Sequence, residues 1–160
     1  MPAPPKTASH AETKHPDAIA LLKQDHREAE GLFESYEKAK DNKTKANLSA
    51  KICQALSIHM QIEEQLFYPP ARKATGDDDA LDEAVVEHAG AKHLIAEIEG
   101  MKVGDDLYDA KIKVLSEQIE HHVEEEEKEL FPEVEKTDLD LAAIGAKLAA
   151  RKAELMAGQK

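Results

Sequence analysis

The sequence predicts an all-α protein: an up-down-up-down four-helix bundle with an additional C-terminal helix. Three observations carry this. Ala, Leu, Glu and Lys dominate while aromatics are only 4% and tryptophan is absent, which is helix-forming rather than strand-forming chemistry. In four successive segments apolar residues recur at alternating steps of three and four, the spacing of one buried stripe per helix, with no internal proline. The links between segments are short, so neighbouring helices run antiparallel.

Taken in order, residues 1–15, with Pro2, Pro4 and Pro5 among small polar residues, have too little apolar content to offset ordering and are predicted to be a disordered tail containing His10. Pro16 suits a first helical turn. The first stripe is Ile19, Leu22, His26, Ala29, Phe33 and Tyr36, and Asp41 to Thr44 cap the next helix. The second stripe, Leu48, Ile52, Leu56, His59, Glu63 and Leu66, is predicted to end at Pro69-Pro70. Gly76 to Asp79 make a longer connection and place acids at a helix start. The third stripe is Leu81, Ala84, His88, Ala91, Ile95, Ile98 and Met101; the fourth, after Gly104, is Tyr108, Ile112, Leu115, Ile119, His122, Glu126 and Leu130, halted near Pro132. The bundle domain is therefore 16–134. Thr137-Asp-Leu-Asp140 resembles a capping box and opens a helix over 137–156 that packs on the bundle or a partner. Gly31 and Gly90, inside helices, are expected to admit close helix approach.

A net charge of −12 argues against nucleic acid or an anionic membrane as partner, since both bind clustered cations. The single cysteine, Cys53, allows neither an intrachain disulfide nor a thiolate metal cluster. No stretch reads as a signal peptide or membrane span, so the expectation is a soluble cytoplasmic protein, monomeric or weakly dimeric.

His59-Met-Gln-Ile-Glu63 and His122-Val-Glu-Glu-Glu126 each put a histidine four residues before a glutamate, on one helix face. The pairs are related by an internal repeat that also lays His26 on His88. Counting along the helices at 1.5 Å per residue puts His26, His59, Glu63, His88, His122 and Glu126 at one level in the core. Four imidazoles and two carboxylates in an apolar interior require a partner. Metal supplies it: two bridging carboxylates and two imidazoles per ion make a dinuclear centre, best suited to iron, with manganese and zinc as competitors. Leu22, Ala29, Leu56 and Ile119 are expected to wall an apolar pocket beside it. Tyr68 is a candidate hydrogen-bonding neighbour. His121 competes with His122, and Glu124, Glu125, Glu127 and Glu129 read as a solvated acidic face, with Glu64 beside the ligands or at the surface.

This pattern over residues 16–134, with Leu-Leu-Lys-Gln-Asp-His26, Gln61-Ile-Glu-Glu-Gln-Leu-Phe-Tyr-Pro69 and Glu87-His-Ala-Gly-Ala-Lys92, resembles the hemerythrin-like, or HHE cation-binding, domain family. The resemblance implies two iron ions, oxo- or hydroxo-bridged, binding dioxygen or a related small molecule for oxygen or iron storage, delivery or sensing. The alternative is a di-iron oxidoreductase acting on peroxide or nitric oxide. Two departures from the oxygen carriers of that family stand out. Lys92 occupies a position where the carriers have a second histidine on the third helix, with His93 one step further. The carriers also space their fourth-helix ligands as His-x-x-x-x-Asp, against His122 and Glu126 here.

Overall fold

The computed structural model describes residues 16–158; the predicted tail of residues 1–15 lies outside them. Helix α1 (Ala18–Lys38) is opened by Asp17, whose carboxylate accepts from the Ala20 N–H at 2.8 Å. Asp41 does the same for α2 (Asn42–Ile62), accepting from both the N–H and the hydroxyl of Thr44. Each satisfies a donor that the helix itself leaves unpaired.

The prolines do not end the second and fourth helices as predicted. After α2 the chain passes through a π-helical turn, Glu63–Phe67, directly into α3 (Tyr68–Thr75). The second half repeats the device: α5 (Tyr108–Glu125) leads through a π-turn, Glu126–Leu130, into α6 (Phe131–Glu135). In an α-helix the proline ring would strike the carbonyl four residues back. The wider turns, closed by the Tyr68 N–H on the Glu63 carbonyl and the Phe131 N–H on the Glu126 carbonyl, move those carbonyls aside and keep the chain helical. Because α3 fills most of the predicted connection, only Gly76 and Asp77 separate it from α4 (Asp78–Glu99). Gly76 takes a left-handed φ of 68°, and Asp77 caps α4 through the Ala80 N–H.

Helices α1, α2, α4 and α5 form the four-helix ring, α1 against α2 and α5, α4 against α2 and α5. The apolar interior is in two parts. One, around Leu22, Phe67, Phe131, Leu81 and Leu148, lies at the α3/α6 end; the other, around Phe33, Ile52, Leu56, Ile95 and Leu115, fills the opposite end. Buried polar residues lie between them.

Helix α7 (Leu141–Gly158) packs on α1, α2 and the first π-turn through Ile144 and Leu148. Its cap is Asp140, which accepts from the Ala143 N–H at 3.0 Å, not Thr137, whose hydroxyl is turned to the Val134 carbonyl at 2.7 Å. Close approach of backbones occurs here rather than at Gly31 or Gly90. A Cβ at Gly145 would lie 2.5 Å from the Pro16 carbonyl oxygen, whereas at Gly31 it would meet nothing within 4 Å and at Gly90 only the Gln118 side chain at 3.8 Å. Gly145→Ala is therefore expected to cost about 1–3 kcal/mol of unfolding free energy, while Gly31→Ala, gaining helix propensity in open space, should add up to about 1 kcal/mol; urea midpoints of the two variants check both signs. Among the described residues no helix is long and apolar enough to cross a membrane.

Candidate metal centre

The six side chains singled out in the sequence occupy the polar layer between the two apolar clusters, and all are buried. They form two groups. In the first, His26, His59, Glu63 and Glu126 bring ligand-type atoms within 4.8 Å of one another; in the second, Glu63, His88 and His122 do so. Glu63 Oε1 lies 3.0 Å from His59 Nε2 and 3.2 Å from His88 Nε2. Glu126 faces both groups, through Oε1 to His26 Nε2 at 3.1 Å and through Oε2 to His122 Nε2 at 3.4 Å.

Those short distances are not all hydrogen bonds. His26 Nε2, His59 Nε2, Glu63 Oε2 and Glu126 Oε1 are fully buried with no hydrogen-bond partner. Orphaned buried polar atoms are costly, and four of them on facing histidines and carboxylates form a donor set that fits a cation.

Around this layer runs a second ring of acids. His26 Nδ1 donates to Glu127 at 2.7 Å, His59 Nδ1 to Asp25 at 2.9 Å, His88 Nδ1 to Glu64 at 2.8 Å and His122 Nδ1 to Glu87 at 2.7 Å. Every histidine is thereby turned so that Nε2 faces the interior, the arrangement that orients imidazoles toward a metal. The ring follows the internal repeat. Asp25 and Glu87 each precede a histidine of the layer and bond to the layer histidine of the same half, His59 and His122; Glu64 and Glu127 each follow a layer glutamate and bond to the lone histidine of the other half, His88 and His26. Arg27 pairs with Glu127, Lys152 of α7 with Asp25 at 2.6 Å and Lys92 with Glu64 at 2.8 Å, while His121 lies 3.5 Å from Glu87.

A family model, the hemerythrin HHE cation binding domain, matches residues 17–134. This chain belongs to the hemerythrin HHE family. The fold is similar to that of a hemerythrin HHE cation-binding domain-containing protein from Mycobacterium kansasii, with a TM-score of 0.77 and 24% identity over 89% of each chain. Among curated proteins the chain is similar to an uncharacterized hemerythrin-like protein of Schizosaccharomyces pombe, 25% identical over 135 residues, and to a DNA nickase of a Nostoc species, 24% identical over 111 residues. Those matches take in 83% and 69% of this chain but span 65% and 31% of the two relatives.

Within this hemerythrin-type bundle the structure accounts for the departure noted on the third helix. Lys92 holds Glu64, and so acts on His88 from outside the layer. His93 points away, its side chain 78% exposed beside Glu97. His121 is exposed too, pairing with Glu125 at 3.1 Å. Glu127 and Glu64, read as surface or neighbouring acids, belong to the ring, as do Asp25 and Glu87, which stripe reasoning passes over because they sit one step off the seam. Their signal is the repeat itself: an acid before each lone histidine and after each layer glutamate.

Tyr68 enters the layer because of the π-turn. With five residues in the turn it stands over Glu63, and its hydroxyl donates to Glu126 Oε2 at 2.6 Å while lying 3.2 and 3.4 Å from Nε2 of His88 and His122. Burial, then the two glutamates, push its phenol well above the ordinary range, so it stays a donor. Burial alone would lower His59 and His122, but Glu63 with Asp25, and Glu126 with Glu87, outweigh it and raise them to about 10 and about 11.

A cavity of about 20 Å³ touches His26, His59, His88 and His122 and is otherwise walled mainly by apolar residues, among them Ala29, Leu56, Ile119 and Val123. Leu22, expected in this wall, belongs instead to the opposite apolar cluster with Phe67 and Phe131. The space is of the order of one or two small molecules, since roughly 10–15 Å³ of such volume holds a water.

Proposed function

We propose that this chain is a non-heme di-iron protein that binds dioxygen or a related small molecule, in storage, delivery or sensing. The observation that carries it is the pair of buried His/Glu groups sharing Glu63, with unpartnered nitrogens and oxygens facing one another. His26, His59, Glu63 and Glu126 would hold one ion, and His88 and His122, with the same two carboxylates, the other. All-nitrogen and oxygen ligation without thiolate suits iron, ahead of manganese or zinc. Iron would supply open coordination positions and reversible one-electron chemistry. The protein's part is to orient the imidazoles through the acidic ring, keep water out with Leu56 and Ile119, and limit the bound molecule to the size of the small cavity.

The test is metal analysis of protein loaded anaerobically with ferrous iron, followed by visible spectra with and without oxygen. About two ions per chain and a spectrum that reverses when oxygen is removed support the reading; substoichiometric iron sinks it. Asp25→Ala, which removes the group orienting His59, is expected to weaken iron binding about 10- to 100-fold, measured by chelator competition.

One observation favours the oxidoreductase alternative. The Tyr68 hydroxyl places a proton donor among the histidines and glutamates, and reduction of peroxide or nitric oxide consumes protons. Steady-state peroxide consumption by the iron-loaded protein that drops about tenfold or more in Tyr68→Phe would favour catalysis, since positioned proton transfer contributes on the order of 10²–10⁴. Spectral change with oxygen but no turnover leaves the binder.

A further inference from the structure

The two halves of the bundle each carry a groove beside the polar layer, and the halves treat it in opposite ways. In the first half the groove is lined by Leu21, Ile58, Ile62 and Leu66, and α7 closes it with Ile144 and Leu148. The repeat lays these four residues on Glu83, His121, Glu125 and Glu129. There the groove is open. It holds a cavity of about 210 Å³ whose acids are Asp77, Glu83, Glu87, Glu125, Glu129 and Glu133, and whose inner wall includes His122 and Glu126. Both of those are more than nine-tenths buried, and Glu126 continues into the inner layer, where its Oε1, directed at His26 Nε2, has no hydrogen-bond partner.

The acidic ring has the same asymmetry. Asp25, Glu64 and Glu127 each face a fixed cation, Lys152, Lys92 and Arg27, which would repel an approaching metal ion. Glu87 faces His121 instead, a group that in its neutral form is itself a ligand. Glu87, His121 and Glu125 bring ligand-type atoms within 4.8 Å of one another at the outer rim of the groove. Glu87 also reaches inward, its other oxygen holding His122 Nδ1 at 2.7 Å.

We propose that this groove is the side through which a divalent cation reaches the buried centre, with His121, Glu87 and Glu125 as its receiving site. The inference rests on the di-iron reading of the inner layer and adds the route to it. Its acids concentrate cations on the side of the layer whose ring carboxylate, Glu87, pairs with no lysine or arginine among the described residues, and the bridge through Glu87 passes from the receiving site to His122. Focusing of this kind raises association rates about 10- to 1,000-fold and fades with salt.

The test follows ferrous iron entering the metal-free full chain anaerobically by stopped flow against a chromophoric chelator. The triple variant His121→Ala, Glu125→Gln, Glu129→Gln changes only the groove's outer residues, and Glu129→Lys alone puts a fixed cation there. Both are expected to load about tenfold or more slowly than wild type, with weaker salt dependence for the triple variant and unchanged final iron content. The control Glu34→Gln, Glu37→Gln, which removes exposed charge from α1, a helix that supplies no residue to the groove, should load at the wild-type rate. Variants that load as fast as wild type, or a control that slows equally, overturn the route while leaving the di-iron reading intact. Wild-type protein that takes up no iron overturns both.

Discussion

Glu63→Ala is expected to strip both ions from the proposed di-iron centre, whereas His88→Ala should release only one. Glu63 belongs to both buried groups, with Oε1 3.0 Å from His59 and 3.2 Å from His88, so its loss removes a carboxylate common to two sites. His88 belongs to the second group alone. Metal analysis after anaerobic loading should therefore fall from about two ions per chain to almost none in the first variant and to about one in the second. Equal loss in both would mean that the ions are not bridged through Glu63. The metal-free fold should respond as well. Glu63 is wholly buried and is the principal reason the His59 imidazole is held protonated against its burial, and removing one partner of such a pair typically costs about 3–5 kcal/mol. Urea unfolding of the metal-free variant measures it.

Metal uptake should also expel protons, and affinity should rise with pH. In the metal-free protein His59 and His122 are raised to about 10 and about 11 by their glutamates, against the opposing pull of burial. Both are then protonated at pH 7, yet a histidine binds metal only as the neutral imidazole. Since the folded-state values lie above the ordinary 6.5, protonation competes with the ion throughout the range below about pH 10. Lowering the pH strengthens the competitor. Loading at pH 7 in weakly buffered solution with an indicator dye should release about two protons per chain from these groups. Chelator competition between pH 6 and 8 should then show apparent affinity climbing by more than about tenfold per pH unit. A pH-independent affinity would mean that the two imidazoles are already neutral and that the glutamates are not holding their protons.

The bundle was legible because its evidence is periodic. Ile19 to Tyr36 and Leu81 to Met101 mark buried faces without ambiguity, and Asp41 and Asp77 are strong caps in any context. His26, His59, Glu63, His88, His122 and Glu126 were legible as one set because they interrupt those faces with costly groups at matching heights. What lay outside this logic was anything off the stripe or dependent on a change of period. Asp25 and Glu87 reach their histidines from the flank of the seam, and Glu127 looks like one more surface acid in a run of four. The proline rule made Pro69 and Pro132 into stops because it assumes an α-helical turn behind them; a π-turn removes the clash, and no residue in Glu63–Phe67 announces it. Thr137 was a plausible cap by composition, but its hydroxyl finds the Val134 carbonyl first, which delays the last helix to Leu141. Lys152 could not be linked to the centre without knowing that α7 lies across Asp25.

The π-turns also alter what a deletion would mean. A ring closed five residues apart contains one residue more than an α-helical ring. Removing Gln65 would therefore shorten the ring to an α-helical one and leave Tyr68, then four residues after Glu63, still over it; winding the same residues as an ordinary α-helix would instead put Phe67 over Glu63 and swing Tyr68 by about 100° about the axis. In that tighter turn Tyr68 would be carried out of the layer, and Pro69 would be brought against the carbonyl four residues back. The width of the turn at Glu63–Phe67 thus sets the chemistry of the centre: the same residues in an ordinary helix would leave Glu126 without its phenol.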